Sequence, residues 1–266
     1  MKEDLGIDLV KYSLKAFIWI FIWYFVVQRT VLSYIVNPSA TILIFDGILR
    51  LVFTILCIIT LGKIIQGNGL KFLFSTKGFI KGLFALSAVF LWILIPIFYL
   101  IVMSEVNSSF ISIIPTIIFF QISSSIFEEA LWRGVFMTAI LYKWSGTVKG
   151  RLISVIISAI VFALPHSYGG MFHVFLAFIL GISFSSAYLY SKNLLSIIFA
   201  HALWNIVINL SSGLIIDLHI SAELLQIIQT IQKTILFVII QLFAIIISVK
   251  ASPFQPTPLL NDKVDA

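Results

Sequence analysis

The sequence predicts an all-α, polytopic integral membrane protein with about eight transmembrane helices. Three observations predict it. Of its 266 residues 61% are hydrophobic and only 11% charged, with a mean hydropathy of +1.13, whereas soluble domains carry about 45–50% apolar and about 25% charged residues. The apolar runs are long and do not alternate, unlike the roughly ten-residue dyads of a barrel, so helices satisfy the backbone in lipid. The lysines gather in short loops between the runs, the pattern of cytoplasmic loops.

At 1.5 Å rise per residue a span needs about 20 apolar residues, which places helices at roughly 14–36, 40–62, 79–103, 110–142, 152–168, 171–190, 194–212 and 232–250. The first run follows a mixed-charge start (Lys2, Glu3, Asp4, Asp8) and shows no small-residue cleavage site, so it reads as a retained span. Lys63, Lys71, Lys77 and Lys81 flank the second loop, Lys143, Lys149 and Arg151 the fourth, and Lys192 and Lys250 follow the sixth and eighth helices. The opposite loops carry Glu105, Asp217 and Glu223 and no lysine. An even span count with this alternation puts both termini in the cytoplasm. It also accounts for the net charge of +6 without a nucleic-acid partner. The stretch 110–142 would run about 50 Å as one helix against a core of about 30 Å, so it must tilt, kink at Pro115 or leave the membrane. Pro165 and the pair Gly169-Gly170 end the fifth helix, and irregular backbone at that depth must line a cavity or be covered by protein. The tail from Pro253 to Ala266 is polar and reads as unstructured. Cys57, the single cysteine, lies in an apolar run and reads as a small buried hydrophobe.

Charged residues at mid-bilayer cost about 2.5–3.5 kcal/mol each on insertion scales, so each needs a partner or a task. In the fourth helix Glu129 and Arg133 stand four apart and share a face. Glu128 is rotated about 100° away, without that partner, and is left for chemistry or for a second helix. The plain structural alternative is a buried Glu–Arg clamp. In the fifth helix His166 follows Phe162 by four residues; alone, it would read as a satisfied core histidine. In the seventh, His201 and Asn205 share a face, and the alternative is an interhelical hydrogen-bond pair worth about 1 kcal/mol. Asp46 and Arg50 in the second helix also stand four apart and read as a pair that satisfies itself. His173 reads as interfacial and His219 as solvated.

Depth connects the three places. Counted from the basic ends, Glu128 lies about 21 Å in, His166 about 20 Å, and His201 and Asn205 about 13–20 Å. Unrelated structural residues have no reason to share a level, so one site is expected, with its carboxylate and ring atoms within about 4–7 Å of each other.

Glu128-Glu129-x-x-x-Arg133, Phe162-x-x-x-His166 and His201-x-x-x-Asn205 resemble, in order and spacing, the three motifs of the CPBP (CAAX protease and bacteriocin-processing, or Abi) family of intramembrane proteases. The resemblance covers about residues 110–212. It divides the chain into N-terminal transmembrane helices at 1–108, a CPBP/Abi-like protease core at 109–212, and a last transmembrane helix with cytoplasmic tail at 213–266. It implies an intramembrane endopeptidase acting on membrane-associated peptides or proteins. Glu128 would activate water, His166 would hold that water or help take its proton, and His201 and Asn205 would bind the oxyanion. Glu129 and Arg133, with Phe162, would support them. Amide hydrolysis needs such a base and such donors.

The family is often called a metalloprotease; a zinc ion, if held, would use Glu128, His166 and His201 with water as the fourth ligand. The chain lacks a compact His-Glu-x-x-His helix, and the amide of Asn205 is a donor suited to an oxyanion and a poor zinc ligand, so a metal-free mechanism is expected. Relatives in eukaryotes cut after a prenylated cysteine. The Ile-, Phe- and Lys-rich composition here fits an AT-rich bacterium, which places the chain in a plasma membrane with a peptide or membrane-protein substrate. Two other classes compete: a bacteriocin immunity or binding protein, and a proton-coupled transporter. Against the transporter, no internal repeat or matching pair of broken helices is visible.

Overall fold

The computed structural model describes residues 2–33, 40–102, 111–214, 239–240 and 242–253. All regular structure among them is helical. In chain order the helices are α1 (Lys2–Ser33), α2 (Ala40–Ile64), the short α3 (Gly69–Leu73) and α4 (Phe79–Ala85), α5 (Ser87–Val102), α6 (Ile114–Glu129), α7 (Thr138–Trp144), α8 (Val148–Ala163), α9 (Gly170–Ser191) and α10 (Leu194–Leu214). A π-helical segment, Ala130–Met137, joins α6 to α7, and a 3₁₀ segment, Leu164–Gly169, joins α8 to α9. A further helical stretch covers 242–250.

Four helices among the described residues are long and apolar enough to cross a membrane: Thr41–Ile64, Val148–Ser167, Gly170–Ser191 and Leu194–Ser211. They correspond to the second, fifth, sixth and seventh expected spans. The start of the eighth expected span, at 232–238, and the acidic residues of the loop before it lie outside the described residues, as does the tail after Pro253.

Two expectations are corrected. The run 79–103 is not one helix. It breaks at Leu86, whose N–H reaches back to both Gly82 and Leu83 while Val89 donates to its carbonyl, so α4 and α5 meet at a tight turn. The fourth run does not kink at Pro115, which sits in the first turn of α6, where its missing N–H costs nothing. The irregularity lies at Ala130–Met137 instead. There the Thr138 N–H donates to the Arg133 carbonyl five residues back, the bond of the wider turn, and Thr138 Oγ1 donates to the same carbonyl at 2.9 Å.

Each helix sorts its residues by face. On α2, Asp46, Phe53, Cys57 and Leu61 are buried while Ile48, Val52, Ile55 and Ile59 are exposed at helical spacing, the stripe expected against lipid. On α1, Phe17, Ile20 and Tyr24 point inward, and Phe17 lies 5.2 Å from Trp132 and 4.8 Å from Phe136 between ring centroids. The most enclosed of the spanning helices is α9, with Phe184, Tyr188 and Leu189 fully buried.

Two glycines set helix separations that matter for the site. A Cβ on Gly181 of α9 would come within 2.9 Å of the Ala159 Cα on α8, and one on Gly47 of α2 within 2.7 Å of the Phe119 ring on α6. At Gly181 the neighbour is backbone, so only a bare backbone allows the approach; at Gly47 the neighbours are side-chain ends, the Phe119 ring and the Ser123 hydroxyl. At the other end of α9, Asn193 ties α10 to the loop before α4: its amide donates to the carbonyls of Ser75 and Lys77, and its Oδ1 caps the Ser196 N–H at 2.7 Å.

Candidate active site

The serine-rich middle of α6 turns two of its hydroxyls back on its own backbone, Ser123 to the Phe120 carbonyl and Ser125 to the Gln121 carbonyl. Such back-bonding satisfies a hydroxyl in lipid without a second helix. The third, Ser124, instead donates to Glu128 Oε1 at 2.8 Å. Glu128 then projects toward α2, where Arg50 Nη1 donates to the same Oε1 at 2.9 Å. Its other oxygen, Oε2, lies 3.9 Å from His201 Nε2.

Glu129, turned about 100° round the helix from Glu128, is fully buried. Its Oε1 accepts from Arg133 Nη1 at 3.0 Å, one turn on, and from His201 Nδ1 at 2.7 Å. Because a carboxylate only accepts, His201 carries its proton at Nδ1, and Nε2 is the atom turned toward Glu128. Arg133 has one further hydrogen bond and two ring contacts, while its buried Nε and the Glu129 Oε2 have no hydrogen-bond partner. Nη2 donates to the Gly181 carbonyl at 3.2 Å, and the guanidinium carbon sits 4.4 Å from the Phe162 ring and 5.5 Å from the Phe184 ring. Those two rings also pack on the His201 imidazole. Phe162 is therefore shared packing for both the arginine and the histidine.

His166 lies in the 3₁₀ segment that follows α8. Its Nδ1 is 3.0 Å from the Phe162 carbonyl. A carbonyl also only accepts, so Nδ1 carries the proton and a neutral ring keeps its lone pair on Nε2. The local sequence explains the bend. Pro165 falls in the first turn of the 3₁₀ segment and Gly170, at φ +81°, ends it in the left-handed region.

Glu128 and His166 share the wall of one cavity of about 390 Å³. Phe120, Phe127, Leu131 and Trp132 continue that wall along the α6 side, and Pro165 completes the side of the 3₁₀ segment. The rest comes from outside the region of the three motifs: Phe21, Tyr24, Phe25 and Gln28 of α1, and Asp46 and Arg50 of α2. Residues from both sides of position 108 therefore share one wall.

The structure brings Glu128, His166 and His201 toward one place. It does not do so for Asn205. Among the described residues the cavity wall includes neither His201 nor Asn205. Asn205 is half-buried one turn beyond His201, and its backbone carbonyl accepts from the Asn209 amide. The partner of His201 is Glu129 on another helix, not Asn205 on its own. His173 is exposed near the start of α9, and His219 lies outside the described residues.

The sequence reading missed Arg50 and Ser124. Asp46 and Arg50 do pair, Nε to Oδ2 at 3.2 Å, but the pair does not satisfy itself. Asp46 also accepts from Tyr24 at 3.2 Å and from Gln28 at 3.2 and 3.3 Å, which leaves the rest of the Arg50 fork for Glu128. Two signals were present. Ser124 stands four before Glu128, and the mid-span acids Asp46, Glu128 and Glu129 outnumber the mid-span arginines Arg50 and Arg133, so one cation must serve two carboxylates.

The donors as arranged do not fit a zinc ion. A guanidinium and a hydroxyl already donate to Glu128 Oε1, and no group of three His, Cys, Asp or Glu among the described residues is placed to hold a metal.

No curated protein and no solved structure matches this chain. Over residues 109–207, which carry all three motifs, the chain matches the family model described as Rce1-like, type II CAAX prenyl endopeptidase, and its similarity to the CAAX-protease family is thereby shown.

Proposed function

We propose that this chain is an intramembrane endopeptidase that hydrolyses peptide bonds of membrane-associated peptides or proteins, with Glu128 as the base. The observation that carries this reading is the shared cavity wall of Glu128 and His166, with His201 Nε2 3.9 Å from the Glu128 oxygen that Arg50 leaves free. A water between Glu128 Oε2 and His166 Nε2 has an acceptor on each side, which orients its lone pair toward a carbonyl carbon. As the water oxygen attacks, its proton passes to Glu128. The oxyanion is met by His201 Nε2, when that atom carries a proton. Glu129 against Nδ1 balances the charge on such a ring. The proton then passes from Glu128 to the peptide nitrogen as the C–N bond breaks, leaving a carboxylic acid and an amine.

The finer reading of the chain's setting belongs to the same proposal. Eight spans with both termini cytoplasmic would open the basic loops to the cytoplasm of a bacterial cell. The cavity, walled by aromatic rings beside a polar cluster, suits an extended peptide with apolar side chains. The test is a comparison of membrane peptides in cells carrying the native chain or Glu128→Gln. Cleavage products present with the native chain and absent with a folded Glu128→Gln chain are expected. The same products in both would overturn the proposal. An immunity or binding protein would instead retain its partner in both and cut nothing in either.

A further inference from the structure

We propose that Arg50, on a helix outside the segment that matches the family, is a positioning residue for the Glu128 carboxylate. The inference rests on the reading of Glu128 as the base. Arg50 Nη1 donates to Glu128 Oε1 at 2.9 Å and to Ser124 Oγ at 2.7 Å, while Ser124 donates to the same Oε1 at 2.8 Å. Two donors thus hold one oxygen of the carboxylate and fix its plane. The other, Oε2, is left toward His201. Without them, rotation about the last side-chain bond would exchange the two oxygens, since that torsion is broad and roughly two-fold.

Arg50 is itself built into place from three directions. Its Nε donates to Asp46 at 3.2 Å, and its guanidinium carbon lies 5.4 Å from the Tyr24 ring and 5.1 Å from the Phe120 ring. Asp46 is fixed by Tyr24 and Gln28 of α1. A planar fork that bonds an acid on each side is something arginine supplies and lysine does not. Gly47, three residues before Arg50, permits the close approach of α2 and α6 that brings the fork within reach. The path from α1 through α2 to Glu128 is continuous, so the N-terminal helices complete the site rather than only enclosing it.

A structural clamp predicts lost stability when Arg50 is changed, and no more. A positioning residue predicts a change at the carboxylate in protein that is still folded. The test uses the full chain, labelled with ¹³C-glutamate and reconstituted in lipid. The carboxylate infrared bands of Glu128 are isolated by difference against Glu128→Gln, and those of Glu129 against Glu129→Gln. In Arg50→Gln the Glu128 bands are expected to shift while the Glu129 bands stay. Where Arg50→Gln does not fold, Arg50→Lys keeps the charge and loses the fork, and the same shift is read there. On the membrane peptide that the native chain cuts, kcat is expected to fall about 100-fold, the scale of a misplaced catalytic group, with KM within about threefold. Unchanged Glu128 bands in folded protein, or a kcat within about twofold of native, would overturn the role of Arg50. Continued cleavage by Glu128→Gln would overturn the assignment of the base instead, and the infrared shift would still decide whether Arg50 holds the carboxylate.

Discussion

Two adjacent glutamates of one helix meet two arginines, and the two ion pairs sit in different surroundings. Glu129 and Arg133 lie one turn apart on the same chain segment, and both side chains are 0% exposed. Glu128 and Arg50 come from helices far apart in sequence and keep 17% and 13% of their side-chain surface open. The sealed pair is wrapped by Phe162, Phe184 and the Gly181 carbonyl, closed off from the surface as a brace would be. The open pair borders the cavity. The difference teaches that what fills the space beside a Glu–Arg pair decides whether it is sealed or left open to a cavity. His201 spans the two, with one ring nitrogen on each glutamate's side.

The contrast breaks most sharply under charge removal. Glu128→Gln is expected to cut turnover by about 100-fold to 10,000-fold, the range of general acid–base catalysis, with thermal unfolding in detergent little changed. Glu129→Gln is expected to lower stability by about 3–5 kcal/mol, because it leaves Arg133 buried without its counter-charge. Equal loss of folded protein from both would erase the distinction. Asn205→Ala probes the oxyanion end. A drop of about 100-fold to 1,000-fold in kcat is expected if its amide donates to the transition state, and an unchanged rate would remove it from the site. Gly181→Ala tests the brace alone. A methyl there meets the Ala159 backbone at 2.9 Å, and overpacking of this kind costs about 1–3 kcal/mol, read as a lower unfolding temperature with kcat nearly kept. The smallest effect expected is that of metal removal. Chelation of purified, active protein should leave the rate unchanged, and activity that is lost with stoichiometric zinc and restored by its return would contradict the arrangement of donors around Glu128.

Much of the site was legible because helical spacing is local. Glu129 and Arg133, Phe162 and His166, and Asp46 and Arg50 each sit four apart, and each pair makes the contact that spacing allows. His201 and Asn205 also sit four apart, yet His201 bonds across to Glu129. A second helix offered a charged acceptor, which outbids a neutral amide inside a membrane. The π-helical turn after Glu129 left no trace in the apolar pattern, because it changes the phase of a helix that is buried all round.

The sequence by itself determined that this chain lives in a bilayer, that it is helical, and which residues are too costly to be there without a task. Those properties follow from composition and from contacts within one or two turns, where a strand of text and a helix carry the same information. Tertiary structure alone decided that Arg50 serves Glu128, that His201 leans on Glu129, and that α1 and α2 wall the cavity. Such choices depend on how helices rotate about their axes and how closely they approach. Those quantities are fixed by distant contacts, among them the bare backbones of Gly47 against Phe119 and Gly181 against Ala159, which no local spacing encodes.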